Sequence, residues 1–382
     1  MRDSSNRAFA LVIVLALLSI LIVAVFAISH FRKVDSQLSA TSAYQVKARQ
    51  NALTALDLAI AKLQSNVGDN NVLTGIAGIA GIPSGRGNST RHWCGVWDLN
   101  GNFVQWLVSG NQVDIQPTVN GDFVELVGVS SVGADATDRE RTNAPLVTVN
   151  GGRYAYWIGD CGVKLSIIIP DSSAAVLGER TSIEEQFPSV NLGDDENTLI
   201  SYEQLRFAGA TTAQLQGGFH TYTLSHVSYD ESFIKTGLLN VNSNSVRYLT
   251  GLWTSYAEIN PSGAGEISAS SFANHVSVRI QGPLKNLDEF FAITSPYLTS
   301  EQLDPLEFDR TMRGWLTVRS QTFIVRAYGD AINPADVEVT EAGPEATAYC
   351  EAIVQRTDED APLGNGKKFV ITYFRWLGPD DI

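Results

Sequence analysis

Cysteine is scarce in this chain: Cys94, Cys161 and Cys350 are the three present in 382 residues. They are too few for a disulfide framework and lack the C-x-x-C spacing of a zinc site. They read either as small buried hydrophobes or, in an exported body, as one bridge with a thiol left over. Cys94 and Cys161, both in the first predicted sheet, are the pair for that bridge. Positive charge is also short, with 27 Lys and Arg against 41 Asp and Glu and a net charge of −14. Lys367-Lys368 is the largest basic cluster of the body, so nucleic acid is excluded as a partner, because phosphates need a positive patch.

Catalytic signals are missing as well. The five histidines, His30, His92, His220, His226 and His275, form no H-E-x-x-H spacing, and there is no G-x-S-x-G and no P-loop. A nucleophile, a base and a group to orient it are not assembled anywhere along the sequence, which points away from an enzyme. Gly217-Gly218 before His220 reads as a turn rather than as a loop presenting an imidazole. No metal site follows from spacing.

What the sequence does have is a long apolar run, uncharged from Ala8 to Ile28. About 20 apolar residues suffice to cross the hydrocarbon core. No small-residue cleavage site or turn follows, as a secretory signal peptide would require. Instead SHFRKVDSQLSATSAYQVKARQNALTALDLAIAKLQ continues without a helix breaker, with Leu53, Leu56, Ile60 and Leu63 at spacings of three and four. One continuous helix is predicted from about Phe9 to about Gln64, apolar all round in its first half and amphipathic in its second. Arg2 and Arg7 before the span and Arg32 and Lys33 after it leave the orientation undecided by charge.

The Gly/Asn/Ser-rich residues 67–90 read as a linker. Asn100-Gly101 between apolar runs signals a hairpin, and Gly151-Gly152 marks another turn, so residues 91–170 are expected to form an antiparallel sheet laid on the helix. Trp93, Trp97, Trp106 and Trp157 are expected to fill the core between helix and sheet. Short helices are expected around 182–186 and 199–207. Asn240, Asn242 and Asn244 precede a helix-period run, further helices lead to a strand from Thr322 to Tyr328, and two strands around a polar turn end the chain. The fold class is α+β: a long N-terminal helix on an antiparallel sheet, with a helical insertion at about 182–315 before the closing strands.

These stretches carry a resemblance. The short basic leader, the Ala8-Phe9 junction and the long apolar helix resemble the type IV pilin class. LLNVNSNSVRYLTGL and LTVRSQTFIVRAYG followed by AYCEAIVQR are similar to segments of the minor pseudopilin K family of type II secretion systems. WLVSG, GRYAYWIGD, NVNSNSV, FIVRAYGD, YCEAIVQR and FRWLGPDDI, in that order, resemble a pilin-like cassette protein A family of verrucomicrobial bacteria.

The resemblance implies a leader at 1–8 cut by a prepilin peptidase between Ala8 and Phe9, a pilin helix at 9–66 and a soluble domain at 91–382. It further implies a single-pass subunit of the bacterial inner membrane with its body in the periplasm, incorporated into a surface filament. Its partners would be other pilin-like subunits, the peptidase, the inner-membrane assembly platform and lipid. Two positions depart from the class pattern, which has Gly where Ala8 stands and Glu at the fifth mature position, where this chain has Ile13.

A carboxylate in the bilayer costs roughly 2.5–3.5 kcal/mol on insertion scales and persists where a neighbouring subunit's amine pairs with it. Its lack at Ile13 implies a minor, tip-like subunit. The same family is associated with calcium. Asp194, Asp195 and Glu196, or Asp358, Glu359 and Asp360, offer hard oxygen ligands, but no EF-hand pattern surrounds them, and the plain reading is a solvated acidic loop. The rival class is a signal-anchored periplasmic enzyme or ligand-binding protein whose span is merely a tether.

Overall fold

The computed structural model describes residues 3–69, 71–80, 90–110, 112–115, 122–134, 140–166, 209–217, 219–220, 222–223, 238–333, 343–362 and 366–382, with side chains from Val14 onward. The two short helices expected around 182–186 and 199–207 lie outside these residues, as do Asp194, Asp195 and Glu196.

Helix α1 spans Asp3–Val67 without a break, three residues beyond the expected C-terminal limit at Gln64. Strand β1 (Val72–Ile76) follows, then β2 (Cys94–Asp98), β3 (Phe103–Trp106) and β4 (Phe123–Val127). A one-turn helix α2 (Val129–Val132) leads to β5 (Thr142–Pro145), β6 (Val147–Val149), β7 (Gly152–Asp160) and β8 (Leu165–Ser166). The middle of the chain holds α3 (Thr212–Gly217), β9 (Tyr222–Thr223), β10 (Leu239–Asn240), α4 (Val246–Ile259), α5 (Ala269–Ser277), α6 (Leu287–Ser300) and α7 (Pro305–Met312). The chain closes with β11 (Leu316–Thr317), β12 (Thr322–Ala331), β13 (Ala346–Asp360) and β14 (Lys367–Leu377).

The expected fold class is the one observed, although the sheet under the helix is built differently. A five-stranded antiparallel sheet runs in the order β14-β13-β12-β7-β6, so three of its strands come from the end of the chain. Helix α1 lies on β12, β13 and β7. Strands β1, β2 and β3 form a separate antiparallel sheet, and β1 falls within the stretch expected to be a linker. The glycines there serve the pairing: Gly75 sits opposite Gly95, and a Cβ on Gly95 would enter the rings of Trp97 and Trp106.

Both expected turns are present. Gly101 (φ +87°) lies between β2 and β3, and Gly151 (φ +79°) between β6 and β7. At the first, Asp98 Oδ1 accepts from the backbone N–H groups of Asn100 and Asn102, at 2.9 and 2.8 Å.

Strand alternation divides the core into two layers. Phe323, Val325 and Ala327 of β12 and Cys350, Ala352 and Val354 of β13 face the helix. Ile324, Tyr328 and Ile353 face the other way, into a second layer made with α4 to α7. Trp93, Trp97, Trp106 and Trp157 are buried as expected, but in this second layer rather than between helix and sheet. On the helix side, the face of α1 is lined mainly by alanines.

The buried centre of the second layer is aromatic: Trp253 on α4 packs on Phe272 of α5 at 4.5 Å and on Phe308 of α7 at 6.2 Å. Ser245 caps α4 by accepting from Tyr248 N–H, Asn286 caps α6 through Glu289 N–H, and Asp304 caps α7 through Leu306 N–H.

Candidate assembly face and buried polar clusters

Helix α1 has two environments. Every residue from Val14 to Ala43 is exposed, including Leu17, Leu21, Val25 and Phe26 at 55–67%. Among the described residues this is the one helix long and apolar enough to cross a membrane.

From Ala48 onward one face is sealed against the sheet. Its buried residues are Ala48, Asn51, Ala52, Ala55, Leu56, Ala59, Leu63 and Val67. Of the expected stripe, Leu56 and Leu63 are buried and Ile60 is half-buried, whereas Leu53 is 40% exposed on the outer side with Val46 and Leu58. The buried face is therefore carried mainly by alanines, which let the helix axis sit close to the strands. Ala8 and Phe9, the expected processing site, and Ile13 lie on α1, and their side chains are outside the described set.

Polar side chains of α1 register the helix on the sheet. Asn51 Nδ2 donates to Asp330 O at 2.7 Å, and Lys62 Nζ donates to Val108 O at 2.9 Å. Gln64 joins the β14 backbone twice, donating to Lys367 O at 2.8 Å and accepting from Phe369 N–H at 3.1 Å. Burial lowers Lys62 to about 8, so this cation lies closer to neutrality at physiological pH than an ordinary lysine.

The three cysteines are buried, and none is in a disulfide. The expected Cys94–Cys161 bridge is not formed, because Cys94 belongs to the layer under the helix and Cys161 to the opposite layer. Burial raises the Cys161 and Cys350 thiols to about 12, which leaves them as inert apolar fillers.

Asp358, Glu359 and Asp360, expected to be solvated and considered for calcium, are engaged by lysines across the β13–β14 turn. Lys367 Nζ stands 2.9 Å from Asp360 Oδ1 and 3.5 Å from Asp358 Oδ1, and Lys368 Nζ stands 3.4 Å from Glu359 Oε2.

The Asn-rich stretch that drew notice in the sequence ties the helical insertion to β1. Asn240 Nδ2 stands 2.9 Å from Thr74 O, 3.0 Å from Ser320 Oγ and 3.1 Å from Asp160 Oδ2. Asn242 accepts from Leu284 N–H at 2.7 Å, and Asn244 donates to Gly78 O at 2.7 Å. Asp160 is fully enclosed, and burial lifts its carboxyl above the usual range against hydrogen bonds from Ser320, Gly162 and Asn240. Replacing Asn240 by alanine strips this group of a donor, and unfolding in urea is expected to show a loss of about 1–3 kcal/mol.

Two clusters were invisible in the sequence. Across β12, β13 and β14, Glu351 accepts from Arg326 Nε at 2.8 Å and from Arg375 Nε at 2.9 Å, with Glu351 wholly buried. The Arg326 guanidinium also donates to Leu126 O and Ser131 Oγ.

The second cluster lies in the loops beyond the sheet. His92 and His220 stack with ring centroids 3.5 Å apart and an interplanar angle of 3°. His92 Nε2 is 3.3 Å from Glu140 Oε2 but outside hydrogen-bond geometry, while His220 Nε2 is 2.7 Å from Glu140 O. Trp157 Nε1 donates to His92 O at 2.9 Å. Burial holds both imidazoles below their usual range, and for His220 the neighbouring His92 and Lys164 push the same way. Both rings are therefore neutral at pH 7. The one local mark of this pair in the sequence is an adjoining aromatic, Trp93 beside His92 and Phe219 beside His220.

The fold and these sites define an α+β protein with a long N-terminal helix, half bedded on an antiparallel sheet and half uncovered and apolar. No protein-family model matches the sequence, and no curated protein is significantly similar to it. Among solved structures, the chain is similar to a chain of the GspK-GspI-GspJ complex from the enterotoxigenic Escherichia coli type 2 secretion system. The identity is 12% and the TM-score 0.35, over 65% of this chain and 90% of that chain.

Proposed function

We propose that this protein is a non-enzymatic, membrane-inserted subunit of a pilin-like assembly. One observation carries the reading: a single helix passes unbroken from an uncovered apolar half to a half seated on the sheet of a folded domain. A plain tether needs only the span. A rigid continuation of some 24 residues, gripped by Asn51, Lys62 and Gln64, fixes the direction of the span relative to the body. Fixed direction is what lateral packing of many such helices needs.

The finer reading follows from the sequence resemblance. A prepilin peptidase cuts between Ala8 and Phe9, leaving the mature helix to pack against other pilin-like subunits on an inner-membrane platform. The body stands in the periplasm. In lipid, small residues such as Ala16, Ser19, Ala24 and Ala27 allow close helix contact where there is no hydrophobic drive. Ile13, apolar where the class has a carboxylate, supports a position at the tip of a pilus or of a secretion filament.

Mass spectrometry of the mature N-terminus tests the processing step. A peptide starting at Phe9 is the expected result, and an intact Met1 in cells with active prepilin peptidase favours the signal-anchored enzyme or binding protein instead. Substituting Ala8 and Phe9 should abolish recovery in the filament fraction while leaving the soluble domain's thermal unfolding unchanged.

A further inference from the structure

We propose that His92, Glu140 and His220 form a binding site for a transition-metal dication, with zinc the best match. The three residues come from separate loops, before β2, before β5 and after α3, and their ligand atoms all lie within 4.8 Å of one another. Ligand atoms held ~2.0–2.1 Å from a tetrahedral ion stand about 3.3–3.4 Å apart. His92 Nε2 and Glu140 Oε2 are already at 3.3 Å.

Without an ion the two atoms face each other as a loose ion pair. The His92 Nε2 atom is buried and makes no hydrogen bond, although a carboxylate oxygen faces it. An ion between the two would satisfy both. The second histidine is prepared in a complementary way. His220 Nε2 lies against Glu140 O at 2.7 Å, so that nitrogen carries the proton and Nδ1 keeps the lone pair. A backbone carbonyl that sets the tautomer of a ligand histidine is the usual support for a metal site. The His92 and His220 rings lie face to face, so one of them must turn about its Cβ–Cγ bond to bring its in-plane lone pair onto the ion.

The donor set selects the ion. Two imidazole nitrogens and one carboxylate oxygen suit zinc and its neighbours, whereas calcium takes six to eight oxygens. Four cations face the cluster and oppose a dication: Lys164, whose ammonium lies over the Phe219 ring at 5.0 Å, Arg326, over the same ring at 4.6 Å, Arg91 and Arg247. They weaken the site without occupying it. Bound there, the ion would clip together three loops that, among the described residues, have no backbone ladder between them. This inference stands independently of the pilin reading.

The test uses the untagged full-length chain in detergent, stripped with a chelator and titrated with zinc sulfate by calorimetry. One equivalent of zinc per chain is expected, with a raised Tm. Glu140→Gln, which keeps the side chain's size, and His220→Ala should each weaken binding at least about tenfold and abolish the Tm rise. His275→Ala should change neither, and calcium chloride should give no such rise. Circular dichroism of each variant checks that it folds. Absence of stoichiometric zinc in the parent chain overturns the site, as does zinc binding in folded Glu140→Gln and His220→Ala at the parent's affinity.

Discussion

Glu351→Gln is expected to lower the unfolding free energy by about 3–5 kcal/mol, enough to unfold much of a marginally stable domain. The carboxylate is wholly buried between two guanidinium groups, with Arg326 Nε and Arg375 Nε at 2.8 and 2.9 Å. The amide keeps the shape but leaves Arg326, itself 2% exposed, as a buried charge without its counter-charge. Arg375→Ala should cost less, because that side chain is 30% exposed and Glu351 keeps its shorter contact. The variant Arg326→Met with Glu351→Leu removes both charges together, and it should recover part of the loss. Recovery stays partial because Leu126 O and Ser131 Oγ then lose a partner.

Urea unfolding followed by tryptophan fluorescence reports this directly, since Trp157 and Trp106 lie in the layer beside Arg326. A Glu351→Gln value within about 1 kcal/mol of the parent would contradict a buried pair and point to a solvated one. The acid limb gives a second check. Burial pushes the Glu351 carboxyl up, but Arg326 and Arg375 pull it down further, and its folded value lies below the ordinary one. Its contribution is therefore complete above about pH 4.3 and is lost as pH falls through the lower, folded value. Glu351→Gln should flatten that part of the stability–pH curve.

Local pattern carried the parts of this fold that are local. The long helix followed from an unbroken run without Pro or Gly, the two hairpin turns from Asn100-Gly101 and Gly151-Gly152, and β12 from the apolar TFIV start of its strand. The position of the main sheet did not, because pairing β7 with β12 joins residues such as Ile158 and Val325 that share no sequence neighbourhood. Leu53 was misread for a related reason. On a helix the large apolar residues look like the buried face, but here the strands approach so closely that alanines have that place.

Cys94 and Cys161 share a strand-rich stretch of sequence, but Cys94 lies on β2 of the three-stranded sheet and Cys161 follows β7 of the five-stranded one, in different core layers. The histidine pair and the Arg326–Glu351–Arg375 group are built entirely from long-range contacts, and no spacing rule reaches them.

Gly329→Val is expected to cost about 3 kcal/mol or more and to lift the soluble half of α1 off the sheet. A Cβ at this position would overlap the Ala52 amide nitrogen, the Ala48 carbonyl oxygen and the Asn51 carbonyl carbon, all of them backbone atoms. Overpacked side chains escape by changing rotamer, at a typical cost of 1–3 kcal/mol. Backbone of a helix has no such escape, so helix and strand must separate. Separation would break the Asn51 bond to Asp330 O, since Asp330 is the next residue on the strand. The four alanines Ala48, Ala52, Ala55 and Ala59 are the other half of this fit, and enlarging Ala52 to leucine should act in the same direction. Ala61 lies on the outer side of the helix, and Ala61→Val should stay within about 0.5 kcal/mol of the parent.

Limited trypsin digestion of the full chain in detergent distinguishes local lifting from global loss. Cleavage at Arg49 and Lys62 should rise strongly in Gly329→Val while the urea midpoint of the tryptophan layer falls less, because that layer lies on the far side of the sheet. If Gly329→Val digests like the parent, the helix is not held by this close contact, and its fixed direction would have to come from Asn51, Lys62 and Gln64 alone. If the prediction holds, the same variant uncouples the span from the body without touching the membrane segment. On the proposed pilin-like reading it should then enter the membrane normally and fail to assemble, which separates anchoring from packing in a single chain.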